Sequence, residues 1–331
     1  MRRWAIGIAS IIALVALGWW STPRPVNMLI TIEPDLPADI DSWIADREAL
    51  YDTAYGLVPG TEQRIRWQKP GRRTDYAVVY VHGFSATRQE IAPTAELVAD
   101  RLGANLFETR LSGHGHETEP MAGVTAEGWI QNAVTALTIG EAIGDKLVVI
   151  SASTGSTLTL ALDGFSHLDN VEALVMISPN FAPADPAAQW ITRPFGKLMM
   201  KLAAGDTRTW QAHNDQQEIY WTTSYPSDAV IEVMRLVDYV QTKLPATIDQ
   251  QLLMFVSPDD SVVSPEAARE AFDAIDAPRK EWISVDKTGD PSNHILSGDI
   301  LSPDTTEWVV SEIVEFVNGS SARPALPAAP E

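Results

Sequence analysis

Val148-Val149-Ile150-Ser151-Ala152-Ser153-Thr154-Gly155-Ser156 joins an apolar run to a turn of small residues centred on a serine. A short apolar run ahead of such a turn reads as a buried strand, and Thr157-Leu158-Thr159-Leu160-Ala161-Leu162 behind it reads as a helix. A serine on a strand-to-helix turn is presented as a nucleophile elbow, in which the residues two before and two after it must be small because the backbones crowd there. Here those residues are Ser151 and Gly155, the first standing where the G-x-S-x-G pattern has glycine. Beside a helix N-terminus, unpaired backbone N–H groups and the helix dipole favour negative charge developing at Ser153.

Outward from the elbow, strand and helix signals alternate. Residues 63–67 read as a half-exposed strand and 76–81 as a core strand ending at His82-Gly83. Residues 88–102 carry Ile91, Ala95, Leu97, Val98 and Leu102 at helical spacing, Gly103 marks the helix end, and 105–111 form a further strand. Thr125 caps a helix running to about 143, followed by the elbow strand over 146–151. Strands are expected at 173–178, 252–256 and 281–285, and helices at 264–275 and 305–317. This rhythm predicts an α/β fold with a mainly parallel central sheet flanked by helices, its functional loops beyond the C-terminal ends of the strands. Residues 179–247 break the rhythm: no strand is expected there, only helical stretches near 195–203 and 229–240. Rich in aromatic and methionine side chains (Trp190, Phe195, Met199, Met200, Trp210, Tyr220, Trp221, Tyr225), the interruption reads as a helical cap over the site.

The 331 residues, 45% of them hydrophobic, suffice for a full-size core. A net charge of −20 argues against nucleic acid as a partner and against a basic membrane-binding surface. With no cysteine, disulfides, thiolate catalysis and cysteine metal sites are excluded. Arg2 and Arg3 precede an uncharged apolar stretch over residues 4–20, which predicts export, either as an uncleaved membrane anchor facing the periplasm or cell exterior, or as a signal cleaved near Ala16-Leu17-Gly18. Residues 318–331, rich in Ala and Pro, read as a disordered tail.

A serine hydroxyl needs a base, an acid to orient that base, and donors for the oxyanion. Strand 252–256 opens into Ser257-Pro258-Asp259-Asp260-Ser261-Val262-Val263, which puts a carboxylate at a strand's C-terminal end. Asp260 is preferred, because Asp-x-Val-Val would pack both valines into the core while the carboxylate faces the site; Asp259 is the alternative. His294, in Asp290-Pro291-Ser292-Asn293-His294, is the only histidine after Asp260, so the chain order Ser–Asp–His selects it. Val81-His82-Gly83-Phe84 supplies a strand end with a glycine that allows close approach, so the backbone N–H groups of Phe84 and Thr154 are the expected oxyanion donors. His114, His116 and Glu117 offer metal-ligand chemistry, but no second cluster completes a tetrahedral site. The expectation is a structural loop with His114 bonded to backbone, and neither metal nor cofactor.

Together, His82-Gly83-Phe84, Ser112-Gly113-His114-Gly115, Ser151-Ala152-Ser153-Thr154-Gly155, Asp260-Ser261-Val262-Val263 and Asn293-His294 resemble the α/β-hydrolase superfamily. The likeness is to the branch of monoacylglycerol-lipase-like, lysophospholipase-like and serine-aminopeptidase-like proteins. It departs from that branch at Ser151, for glycine, and at Ser112, for arginine. The resemblance covers about residues 63–317, with the cap inserted at about 180–247; residues 1–20 are then the anchor or signal and 21–62 an N-terminal extension. It implies a serine hydrolase cleaving carboxylic esters of acyl lipids or other apolar acyl substrates through a Ser153–His294–Asp260 triad and an acyl-enzyme. The alternatives are a peptidase or amidase of the same fold, or a catalytically silent binding protein.

Overall fold

The structure, a computed structural model, describes residues 15, 17–19, 21–28, 33–164 and 166–319. Most of the segment expected to be an anchor or signal, and nearly all of the expected tail, therefore lie outside the described residues. Among the described residues no helix is long and apolar enough to cross a membrane.

In chain order the principal elements are α1 (Ile40–Tyr55), β1 (Arg64–Arg66), β2 (Thr74–Val81), α2 (Thr94–Leu102), β3 (Asn105–Glu108), α3 (Ala126–Ile143), β4 (Gly144–Ala152), α4 (Thr154–Ala161) and β5 (Val171–Ile177). There follow α5 (Gly196–Ala204), β6 (Thr207–Thr209), α6 (Asp215–Tyr220), β7 (Ser224–Pro226), α7 (Ser227–Gln241), β8 (Gln251–Val256), α8 (Pro265–Ala274), β9 (Lys280–Ser284) and α9 (Pro303–Val317). Seven strands form one sheet in the order β1-β3-β2-β4-β5-β8-β9. Every pairing in it is parallel except that of β1 with β3.

The two-residue period of a strand sorts the core into two layers. Val78 and Tyr80 of β2 and Val148 and Ile150 of β4 face α2 and α9, where Val98, Val309, Ile313 and Phe316 are buried. Ala77, Val79, Val81, Leu147 and Val149 face the other way, against α3, α4 and α7. Because the central strands are covered on both faces, they read as unbroken apolar runs rather than alternating ones. As the sequence predicts, the Thr125 hydroxyl caps α3, accepting from the Gly128 N–H.

Two expectations need correction. The helix over 88–102 is divided: Arg88–Glu90 is a 3-10 turn, and α2 starts only after Pro93, whose ring cannot lie inside a continuous helix. The cap is not purely helical, because β6 and β7 pair antiparallel within it. The segment before residue 63 carries α1, whose Glu48 is buried and bonds the Arg110 guanidinium through both carboxylate oxygens at 2.8 Å.

Candidate active site

The loops that follow β2, β4, β5 and β8 converge at the C-terminal edge of the sheet. Ser153, between β4 and α4, has φ 49° and ψ −118°, a backbone conformation that L-residues adopt only under constraint. The constraint is visible in its bonds: the Ser153 N–H donates to Ile177 O, and its carbonyl accepts from Asn180 N–H. A Cβ on Gly155 would lie 2.1 Å from the Val81 carbonyl oxygen, so only glycine fits there. Ser151 is tolerated two residues before the elbow because its hydroxyl turns back into the sheet, within 3.1 Å of Ser156 Oγ and 3.2 Å of Val175 O.

His294 is bracketed by the same strand ends. Its carbonyl accepts from Ser178 Oγ at 2.7 Å, next in sequence to the residue that holds the Ser153 amide. Its Nδ1 lies 2.8 Å from Asp260 Oδ2. Asp260 is itself fixed, its Oδ1 accepting from the N–H groups of Val262 and Val263 at 2.8 and 3.0 Å. Asp259 is exposed and takes no part. The reason for preferring Asp260 needs amending, because only Val263 is buried while Val262 is 47% exposed. What orients the carboxylate is the turn formed by the two valine amides. Among the described residues Ser153 Oγ makes no hydrogen bond; contacts of this kind commonly close only when substrate is bound.

A residue that sequence reasoning missed shapes the histidine loop. Asp290 accepts from the N–H groups of Ser292, His294 and Ile295 and from the Ser292 hydroxyl. Burial works against its charge, but these donors outweigh burial and hold its pKa below the usual value. For His294, burial likewise disfavours the imidazolium, yet the Asp260, Glu90 and Asp290 carboxylates overcome it and raise the pKa above 6.5.

The expected oxyanion loop is held on every side. Gly83 O accepts from His82 Nδ1 at 2.8 Å and from the Ala86 N–H at 3.4 Å. Among the described residues neither the Phe84 nor the Thr154 N–H is given to a protein acceptor, which leaves both free for an incoming anion. His82 Nε2 accepts from the Leu111 N–H, and His114 Nε2 accepts from the Ser85 N–H while its Nδ1 meets Ser112 O. His114 thus bonds backbone on both sides. Each acceptor nitrogen requires a neutral ring, and burial holds both down, His82 to about 4 and His114 well below 6.5.

Both histidines therefore make the fold weaker in acid. The unfolded chain takes up these protons as pH falls through about 6.5 while the native rings refuse them, so stability is full above that value and lost below it. From pH 7 to pH 5 His82 alone is expected to cost about 2 kcal/mol of unfolding free energy. Urea denaturation checks this, and a His82→Gln variant with an undiminished pH slope would refute it.

The cap reaches the same loops. The Thr222 N–H donates to Ser85 O at 2.7 Å. The Tyr225 ring meets Phe84 edge-on at 5.0 Å. Trp221 is buried with Ala86, Ile295 and Leu301. Arg235 of α7 pairs with Glu127 and Glu232, tying the cap to the start of α3.

A family profile described as serine aminopeptidase, S33, matches residues 72–288. The thermostable monoacylglycerol lipase of Bacillus sp. (strain H-257) is 29% identical over 241 residues, which is 72% of this chain and 89% of that protein. A structure from work on the metagenome-derived lipolytic enzymes LipS and LipT superposes with a TM-score of 0.65 at 19% identity, covering 80% of this chain and 99% of that one. The monoacylglycerol lipase of Paleococcus ferrophilus superposes with a TM-score of 0.58 at 15% identity, covering 78% and 98%.

Proposed function

Because this chain belongs to the serine aminopeptidase S33 family and has the α/β-hydrolase fold, we propose that it hydrolyses carboxylic esters of apolar acyl groups, acyl lipids among them, through Ser153, His294 and Asp260. The observation that carries the reading is the 2.8 Å contact of His294 Nδ1 with Asp260 Oδ2, together with a serine held at φ 49° on the strand-to-helix turn. Ser153 Oγ attacks the ester carbonyl as His294 Nε2 takes its proton. The N–H groups of Phe84 and Thr154 hold the oxyanion, and collapse of the intermediate passes the proton to the leaving alcohol. Water then cleaves the acyl-enzyme by the same route and releases the acid. Asp260 stays ionised and fixes the imidazole tautomer.

Likeness to a monoacylglycerol lipase and an aromatic cap favour an ester with an apolar acyl chain over a peptide. The test is labelling with a fluorophosphonate, followed by turnover of short and long p-nitrophenyl esters and of an aminoacyl anilide. Labelling with ester turnover supports the reading, anilide turnover alone redirects it to a peptidase, and neither leaves a silent binding protein.

We also propose that the chain is exported and tethered to a membrane by the stretch before residue 21. In support, Val15, Leu17 and Trp19 are exposed, as are Leu198, Met199 and Leu202 of α5. The two segments adjoin, since the Phe195 N–H bonds Ser21 Oγ at 3.0 Å. Mass measurement of the mature N-terminus decides the tether: a chain starting near Trp19 refutes it.

A further inference from the structure

Glu90 lies outside the Ser–His–Asp reading, yet it sits at the junction of three parts of the site. It is buried at 2% exposure on the 3-10 turn before α2. Its Oε2 accepts from the Gly83 N–H at 2.7 Å and from Tyr80 Oη at 2.8 Å. Its Oε1 has no hydrogen-bond partner among the described residues. It would lie 2.7 Å from a Cβ placed on Gly83, and that same Cβ would lie 3.1 Å from Ser153 Cβ. The segment bearing Glu90 is packed against the loop that follows His294. Gly298 approaches the Glu90 carbonyl so closely that a Cβ there would come within 3.1 Å. The Asp299 N–H donates to Ala92 O, and Thr94 Oγ1 bonds Ser297 Oγ at 3.0 Å.

Gly83 is therefore gripped at both ends, its N–H by Glu90 and its carbonyl by His82 and Ala86. With both ends fixed, the peptide between Gly83 and Phe84 has one orientation, and the Phe84 N–H must project away from the carbonyl that His82 and Ala86 hold. We propose that Glu90 is a positioning residue for the hydrolysis assigned above: its carboxylate sets the oxyanion-binding peptide and adds a negative charge to those of Asp260 and Asp290 around the His294 imidazolium. The proposal rests on the reading of Ser153 as nucleophile.

Three carboxylates then face His294, namely Asp260 from the loop after β8, Asp290 from its own loop and Glu90 from the 3-10 turn. Glu90 is faced by Tyr80 and His294; Glu96 and Glu108, which also act on Tyr80, each pair one carboxylate oxygen with Arg64. Burial holds the Glu90 pKa above its usual value, although the Gly83 N–H, the Tyr80 hydroxyl and His294 act in the opposite direction. Two hydrogens donated to one oxygen favour the ionised form. A proton moving from Ser153 to His294 during attack places positive charge on a buried ring bonded to Asp260 and within the field of Glu90, where water screens it little.

Two variants separate the charge from the hydrogen bonds. In Glu90→Gln a side-chain oxygen still accepts from Gly83 and Tyr80 but carries no charge, whereas Glu90→Ala loses both. For p-nitrophenyl butyrate, kcat/KM of Glu90→Gln is expected to lose its acid limb at a pH lower than the wild type's by roughly half a unit or more, because His294 holds its proton less tightly. Its plateau falls by less than about tenfold, while Glu90→Ala lowers kcat about ten- to a hundredfold with little change in KM, as a misplaced oxyanion donor would. A structural role alone does not move the acid limb, so a Glu90→Gln profile superimposed on the wild type overturns the proposal even if Glu90→Ala fails to fold. Fluorophosphonate labelling of the wild type, and its loss in Ser153→Ala, keeps the two readings apart. An unlabelled wild type defeats the nucleophile assignment, and a labelled wild type with an unshifted Glu90→Gln profile defeats only the role of Glu90.

Discussion

Replacing Ser153 by alanine is expected to abolish fluorophosphonate labelling and to lower kcat for ester hydrolysis by roughly five to six orders of magnitude, as losing the nucleophile does in serine hydrolases. The accompanying change in stability is more particular to this chain. Ser153 sits at φ 49° and ψ −118°, where any side chain with a Cβ stores about 1–3 kcal/mol of backbone strain. Alanine keeps that strain and glycine removes it. Glycine also widens the unfolded ensemble, at a cost of about 0.5–1 kcal/mol, so Ser153→Gly is expected to be as inactive as Ser153→Ala yet more stable by about 1 kcal/mol. Equilibrium denaturation of the two variants reads the difference directly. Ester turnover retained in either, or an alanine variant clearly more stable than the glycine one, would show that the elbow is not the strained nucleophile turn described above.

The second large effect belongs to Asp260. In Asp260→Asn the amide oxygen still accepts from the Val262 and Val263 N–H groups that hold Oδ1 in the native turn, so the loop is expected to fold unchanged. The other end of the side chain now presents N–H₂ to His294 Nδ1 in place of an acceptor. The imidazole must turn its lone pair to Nδ1 and its proton to Nε2, the wrong tautomer for receiving a proton from Ser153 Oγ. A loss of about 10⁴ in kcat is expected, with KM nearly unchanged. Asp259 is the natural control, being exposed; Asp259→Asn should stay within about twofold of wild type. Equal losses in the two variants would mean that the acid has been misassigned.

Much of this site is written in short-range sequence. The elbow is legible because both of its requirements are local: an apolar strand before the serine, and a small residue where the Val81 carbonyl stands 2.1 Å from a would-be Cβ. His294 and Asp260 are legible through chain order and strand ends, which a parallel sheet converts into spatial neighbours. The missed parts depend on tertiary contact. Glu90 looks like an ordinary polar position near the start of a helix, and only the return of the loop after His294 buries it. Asp290 looks like a turn residue, and nothing in its spacing announces four donors. The β6–β7 ribbon is too short and its first strand too exposed to leave an alternating pattern. Helix α1 escapes because it buries little, Ile44 and Glu48 being its buried residues.

The grip of Glu48 on Arg110 bears on where the gene for this protein can be cut. A fragment trimmed to the family match at 72–288 would leave the Arg110 guanidinium, 2% exposed in the intact protein, without its counter-ion, and would stop six residues short of His294. Shorter expression boundaries should therefore be drawn before Ile40 and after Val317, and any library that shuffles this hydrolase with its relatives should move α1 together with the loop that carries Arg110.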